Sequence, residues 1–374
     1  MKRQWVRVLV CLFLILLPCF VFAQAPVPPL RIDPFTPHIP ARAIAYQRLH
    51  RVINLTGIAW SIGGLWLFIR LGVSTRLRTT LYRLLKRPLP QEESTPTFRV
   101  LALYSVVFLV IVRLWSLPFG LANRAVEAHY GFGRQSLGGY FADILMGLLL
   151  ELPLIPLVWG GYWLFVRSPR HWWQWAWGLL TPLLLFQFVI QPVVISPLYN
   201  HYTPLPESPL RQDILALASR AGIPETRVFV EDTSKRTAHV NAYVIGLGMS
   251  RRIVLNDTGL KELPKDEMLA MVGHEMGHYV EGHIWIFFVC SVFGAGFFLW
   301  FLAKVLPLQT KRLYRLGFVT HTTDLAGLPS ILLTISLFLL IQYPVINLTS
   351  RYLEHRADAF ALRVTHLNEA AARL

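Results

Sequence analysis

Charge is what this chain has least of. Asp, Glu, Lys and Arg make up only 15% of its 374 residues, where a soluble globular domain carries about 25%. An ordinary water-facing surface is therefore excluded. Cysteine is almost missing too. Cys11, Cys19 and Cys290 all sit in apolar segments, which leaves no disulfide framework and no CxxC metal site. Acids are outnumbered, 21 against 36 Lys and Arg, for a formal net charge of +15. In a soluble protein that balance would suggest nucleic acid, but here the bases collect in short loops. Arg76, Arg78, Arg83, Lys86, Arg87 and Arg99 fall in one loop, and Lys304, Lys311, Arg312 and Arg315 lie around another. That is how the positive-inside rule marks cytoplasmic loops, so the expected partner is a lipid bilayer and no nucleic acid.

What the chain does have is apolar length: 54% hydrophobic residues and a mean hydropathy of +0.46. Windows near 52–73, 98–121, 146–166, 173–195, 284–306 and 327–348 can each span about 30 Å of hydrocarbon. Only RSPRHW separates 146–166 from 173–195, a tight helical hairpin. At the start, a basic MKRQWVR precedes LVCLFLILLPCFVFA, which ends in a small residue. Residues 1–25 thus read equally as a secretory signal peptide or a first transmembrane helix. The proline-rich 26–51 reads as an extended extracytoplasmic linker, 52–195 and 284–348 as transmembrane helices.

Two polar pieces remain, 196–283 and 349–374. The first opens with the loop SPLYNHYTPLPESPL. Ser208-Pro209 then caps and starts an amphipathic helix, with Gly222 as its stop. TRVFVED reads as a strand, and HVNAYVIG and RRIVLND as a hairpin joined at LGMS. Pro264-Lys265-Asp266-Glu267 begins a further helix, with acids where the dipole favours them. That helix is expected to run unbroken into the span near Ile284. The second piece looks helical from SRYLEHRADAFAL. The fold expected is a mainly α-helical polytopic membrane protein with a small α+β domain.

The chemistry concentrates in GHEMGHYVEGH, 273–283. On a helix, His274 and His278 share a face and can both bind one Zn²⁺, while Glu275 stands beside it as a base. This is the HExxH arrangement. The bland alternative is a helix whose histidines snorkel at a membrane boundary; the adjoining hairpin, able to pair with an extended peptide, weighs against it. His283 and Glu281 are rejected as ligands. At about 100° per residue on an unbroken helix, His283 points away from the other two histidines, and Glu281 lies almost two turns from His274. A catalytic zinc takes three protein ligands and leaves a fourth position open, so one must come from elsewhere. Glu354 and Asp358 share a face in the second polar piece: one carboxylate could bind the metal and the other fix a nearby group. Read alone, that segment is as easily a solvated charged face.

SKRTAHVNAY, GLGMSRRIVLND, MVGHEMGHYVEGH and SRYLEHRADAFAL, in this order, resemble the Ste24-type CAAX prenyl proteases. These are integral-membrane zinc metallopeptidases of the M48 group. ISPLYNHYTPLPESPLR is similar to the segment leading into their catalytic domain, and the resemblance runs from about residue 40 to the end. It implies six to seven transmembrane helices enclosing a chamber, a zincin-like catalytic domain over 196–283, and one Zn²⁺ per chain. His274 and His278 match the zinc histidines, Glu275 the general base and Glu354 the third ligand, with 349–374 the third-ligand helix. Asp358 matches an acidic partner of a ligating histidine. Asn241 and Ala242 match the strand lining the substrate groove, and His239 and Arg351 match substrate or transition-state contacts. The implied substrates are peptides or proteins, C-terminally prenylated in that family.

Two departures stand out. The family continues past the third-ligand helix, whereas this chain ends at NEAAARL in mid-helix, as a truncated sequence would. The basic loops also put 196–283 and 349–374 on the outer face, which implies the periplasmic side of a bacterial inner membrane. A bacterium without prenylation would use the same machinery for quality control of membrane or exported proteins. A non-catalytic zinc scaffold has no need of Glu275. A transporter would not gather its polar groups in two extramembrane pieces.

Overall fold

A computed structural model describes residues 41–190, 195–224, 226–246 and 251–374. The signal-like segment 1–25, linker residues 26–40 and the LGMS turn lie outside the described residues. Ahead of the first polar piece come α1 (Ala41–Arg70), α2 (Val73–Leu84), α3 (Phe98–Tyr130), α4 (Leu137–Glu151), α5 (Ile155–Arg167) and α6 (Trp172–Ile190). The polar piece holds β1 (Tyr202–Pro204), α7 (Pro209–Arg220), β2 (Arg227–Glu231), β3 (Ala242–Ile245), β4 (Arg252–Asn256), α8 (Asp257–Glu262) and α9 (Lys265–Val280). After it come α10 (His283–Arg315), α11 (Leu328–Thr365) and α12 (Asn368–Arg373).

Among the described residues, five helical stretches are long and apolar enough to cross a membrane: Ala41–Arg70, Phe98–Tyr130, Leu137–Arg167, His283–Arg315 and Leu325–Thr365. Their outer faces carry large bare side chains such as Trp66, Leu149 and Leu339, each more than half exposed. In water such faces would aggregate; against lipid they cost nothing. The described part of the sixth window, 173–195, is α6, an apolar helix with no charged residue. It packs against α10 through Trp172, Leu302 and Leu306. Helix α1 begins at Ala41, so 41–51 is helix where the sequence suggested linker. A gap of about 600 Å³ lies between α1 and α11, lined by Leu55, Ile58, Ile62, Trp66, Leu333 and Leu337.

The helix ends sort to two sides. At one, Ser74 Oγ and Thr75 Oγ1 donate to the carbonyls of Ala326 (2.7 Å) and Phe318 (2.8 Å). Arg78 pairs there with buried Asp324. At the other, Glu127 of α3 accepts from Tyr46 Oη (2.7 Å) and pairs with His50 of α1 (3.0 Å) and His239 of the polar domain (3.0 Å). Ala238 N donates to Phe132 O at 2.8 Å, tying the same domain to the end of α3.

The polar domain is a four-stranded sheet in the order β1-β2-β4-β3. β2 and β4 run parallel, and β1 and β3 antiparallel to their neighbours. The hairpin expected from HVNAYVIG and RRIVLND pairs Ala242 with Leu255 and Ile245 with Arg252, leaving β3 at the edge. β1 was not expected; its three residues hide among prolines and pair Tyr202 with Glu231. Helix α7 starts as read, Ser208 Oγ accepting from Arg211 N at 3.2 Å with Pro209 in the first turn. Met268, Val272 and Met276 of α9 are 0–1% exposed and share one core with Ile214, Ile253 and Leu255. By about 25 cal/mol per Å² of apolar surface, that stripe is what holds α9 to the sheet.

Two features differ from the sequence expectation. Helix α9 does not run on into the span: it ends at Val280, and Gly282 takes φ +67°, after which His283 opens α10. Only glycine enters that left-handed region cheaply. Conversely α11 is one continuous 38-residue helix, so the last span and the segment carrying Glu354 are a single rod.

Candidate metal centre

Three stripes of α9 divide its work. Met268, Val272 and Met276 face the sheet. Gly273 and Gly277 face α11 so closely that a Cβ on Gly277 would lie 3.0 Å from Ala357 Cα. His274 and His278, one residue further round, are thereby set against Glu354 and Asp358 of α11. Both helices are rigidly packed where they cross, and the donors follow from that crossing.

His274 Nε2 and His278 Nε2 are 3.1 Å apart, and Glu354 Oε2 lies 3.2 Å and 3.4 Å from them. A tetrahedral ion with bonds of about 2.0–2.1 Å needs donor separations of about 3.3–3.4 Å. The triangle therefore fits one small divalent metal and leaves the fourth corner open. Among the described residues these three form the one group of His, Cys, Asp or Glu placed to hold an ion. Glu275 sits half-buried beside them, and burial, with the negative charge of Glu354, pushes its carboxyl up to about 7 against the pull of His274.

The far nitrogens of the two rings are also held. His274 Nδ1 lies 2.8 Å from Asp358 Oδ1. Burial disfavours the charged form of His274, but the Asp358 bond and the charges of Glu275, Asp358 and Glu354 outweigh it, and its pKa is raised. His278 is lowered, by burial and then by neighbouring His274. Its Nδ1 lies 2.8 Å from Nδ1 of His283, a residue only 2% exposed. His283 is not in the donor triangle, because the His278 ring stands between. The ground on which it was set aside, an unbroken helix, is corrected: the turn at Gly282 brings it back under His278. Sequence reasoning gave His283 no role, and the glycine immediately before it was the available signal. Glu281, also outside the triangle, pairs with Arg356 at 2.5 Å.

The other candidate residues are placed around this centre. Ala242, 2% exposed, begins the edge strand, and Asn241 immediately before it accepts through its O from Asn256 N at 3.1 Å. His239 stacks on Phe132 with ring centroids 4.2 Å apart, its Nε2 turned to Glu127 and Tyr46 rather than to the metal donors. Arg351 is exposed on α11, one turn before Glu354. A pocket of about 230 Å³ adjoins His278, walled by Val244, Ile245, Trp285, Phe288 and Phe188.

A histidine pair and glutamate on one helix, a carboxylate from a second, and helices built for lipid make up an HExxH arrangement able to hold a metal in a membrane protein. Comparison with known proteins gives the family. Residues 204–373 match the model of peptidase family M48, and 23–201 match the CAAX prenyl protease N-terminal region, described as five membrane helices. The chain belongs to the M48 peptidase family and is an integral membrane protein. It is 37% identical over 289 residues to the uncharacterized metalloprotease YhfN of Bacillus subtilis, covering 75% of this chain and 67% of that protein. To the CAAX prenyl protease 1 homolog of Oryza sativa it is 33% identical, covering 73% and 65%. To the human homolog it is 30% identical, covering 70% and 64%. The matched part thus spans about two thirds of these relatives' length. The crystal structure of S. mikatae Ste24p shares the fold, with a TM-score of 0.74 at 20% identity over 98% of this chain and 90% of that one.

Proposed function

We propose that this chain is a membrane-embedded zinc metalloendopeptidase with one Zn²⁺ held by His274, His278 and Glu354. The observation that carries this reading is the donor triangle of 3.1, 3.2 and 3.4 Å with Glu275 beside it. When bound, the zinc polarises the scissile carbonyl and makes water a nucleophile near neutral pH. Glu275 takes the proton from the attacking water and passes it to the leaving amine. A carboxyl buried enough to sit near neutrality can both accept and release that proton. Asp358 holds the His274 ring in its binding tautomer. The free edge of β3, with Asn241 just ahead of it and Ala242 at its start, pairs with an extended peptide, and the apolar pocket beside His278 takes a side chain of it. Arg351 and His239 are assigned substrate contacts at the two margins.

The names of the plant and human relatives support a C-terminally prenylated peptide as substrate. The Bacillus relative, described only as a metalloprotease, supports a second reading, proteolysis of unmodified membrane or exported proteins. The catalytic face is assigned to the periplasmic side of a bacterial inner membrane. With α6 as a sixth crossing, both catalytic segments fall on the side opposite Arg76, Arg83, Lys86, Arg87, Lys311 and Arg315, where the positive-inside rule puts the cytoplasm.

The test is to purify the chain with and without Glu275→Gln, measure bound zinc, and offer a prenylated peptide beside an unmodified unfolded protein. Both forms should hold one zinc and only the wild type should cleave. Preference between the two substrates separates the readings. Loss of zinc in Glu275→Gln, or equal cleavage by both forms, sinks the role assignment.

A further inference from the structure

We propose that His283 is a positioning residue for the metal ligand His278, the middle member of a relay running His278–His283–Glu281. The inference rests on the reading of His278 as a ligand. A neutral imidazole that gives Nε2 to a metal carries its hydrogen on Nδ1. In His278 that nitrogen faces one atom, His283 Nδ1, at 2.8 Å. His283 must accept there, which puts its own hydrogen on Nε2. That nitrogen lies 3.4 Å from Glu281 Oε2, a charge contact without hydrogen-bond alignment, and the nearby carboxylate charge favours this tautomer.

Glu281 is itself fixed from outside. Arg356 Nε reaches Oε2 at 2.5 Å and Arg363 Nη2 reaches Oε1 at 3.6 Å, both from the helix that carries Glu354. The relay therefore ties the second ligand to the third ligand's helix by a path separate from the metal. Three facts make it a built arrangement. His283 is 2% exposed, and its ring's one hydrogen bond among the described residues is the 2.8 Å contact to His278 Nδ1, so the ring is held by the ligand it supports. Gly282, at φ +67°, supplies the turn that aims it. The two ligands are also treated differently: His274 meets the Asp358 carboxylate directly at 2.8 Å, while His278 meets one through an intervening imidazole. Partners of this kind are worth about 10- to 100-fold in metal affinity.

The test uses the full chain in detergent, with zinc as probe, competed against a chelator of known affinity. His283→Leu fills the space without an acceptor. His283→Asn keeps an acceptor oxygen near the Nδ1 position. His283→Leu should bind zinc about 10- to 100-fold more weakly, and His283→Asn should recover most of that loss. With cobalt(II) in place of zinc, the visible spectrum of His283→Leu should shift while that of His283→Asn stays close to the wild type. Wild-type affinity in His283→Leu, or an Asn variant no better than Leu, overturns the relay. Should His283→Leu fail to fold, Glu281→Gln carries the test: it removes the charge that selects the tautomer and leaves the ring in place. A several-fold weaker zinc affinity supports the relay there, and an unchanged one overturns it. Absence of zinc from the wild type, or zinc retained by His278→Ala, overturns the reading of the centre instead.

Discussion

Gly277→Ala sets two physical effects against each other. Alanine is the better helix former, by about 0.5–1 kcal/mol, so propensity alone predicts a more stable protein. Packing predicts the reverse. The new Cβ would lie 3.0 Å from both Cα and O of Ala357 and 3.1 Å from Phe360 Cβ. Two of those atoms are backbone and cannot rotate away, so α9 and α11 must part by roughly half an ångström to restore ordinary van der Waals distance. Overpacking of this kind costs about 1–3 kcal/mol, more than propensity returns. The separation also falls across the metal centre, because Glu354 and Asp358 flank Ala357 on the same helix. Donor gaps of 3.2 and 3.4 Å would open, and metal bonds tolerate only about 0.2 Å. If the cost is taken from binding, zinc affinity falls about 5- to 150-fold. The assay is chelator competition for zinc, paired with thermal unfolding of the metal-free protein. Wild-type affinity together with an equal or higher unfolding temperature would refute the helix-crossing account of the site.

Gly273→Ala should be rescuable where Gly277→Ala is not. Its Cβ meets the Thr365 methyl Cγ2 at 2.5 Å, and Thr365→Ser in the double variant removes that methyl; failure of the rescue in thermal unfolding would count against the contact. Chelation of zinc should lower the unfolding temperature of the wild type, zinc at 100 times its Kd being worth about 2.7 kcal/mol, and should leave that of Glu354→Gln nearly unmoved. Asp257 supplies a pH test away from the metal. Burial opposes its charge, but Ser234 Oγ, Ser234 N and Lys261 outweigh that and hold its pKa below the usual 3.8. A carboxylate depressed in the fold contributes stability above its unfolded pKa and loses it as pH falls through the folded value. Asp257→Asn should therefore cost about 1–3 kcal/mol near pH 7, and the difference from wild type in denaturant unfolding should shrink below about pH 4.

The parts of the centre written as one local pattern could be read directly. His274, Glu275 and His278 needed only helical spacing, and the hairpin needed only two β-rich runs. Glu354 could not be chosen over Asp358 from spacing alone, since both share one face; family resemblance made the choice. β1 was lost because prolines argue against a strand, although an edge strand three residues long tolerates them. The break at Gly282 escapes a reading that carries one unbroken helix from Lys265 into the span near Ile284. With the helix taken as continuous, His283 pointed the wrong way and its place under His278 was invisible. The unbroken α11 was missed for the opposite reason: polarity changes at Ser350, and a change of solvent was taken for a change of element.

That long helix also orders events during synthesis. The two histidines leave the ribosome before two further spans, and Glu354 arrives only on the far end of the second. At roughly 5–20 residues per second, His278 precedes Glu354 by about 4–15 seconds. Through that interval the nascent chain carries both imidazoles of the triangle without the Glu354 carboxylate. Because Glu354 is continuous with the span in α11, it reaches them only once that span has been threaded. On the proposed reading, the metal site closes only after α11 has been inserted, and a chain halted before that span lacks one of its three donors.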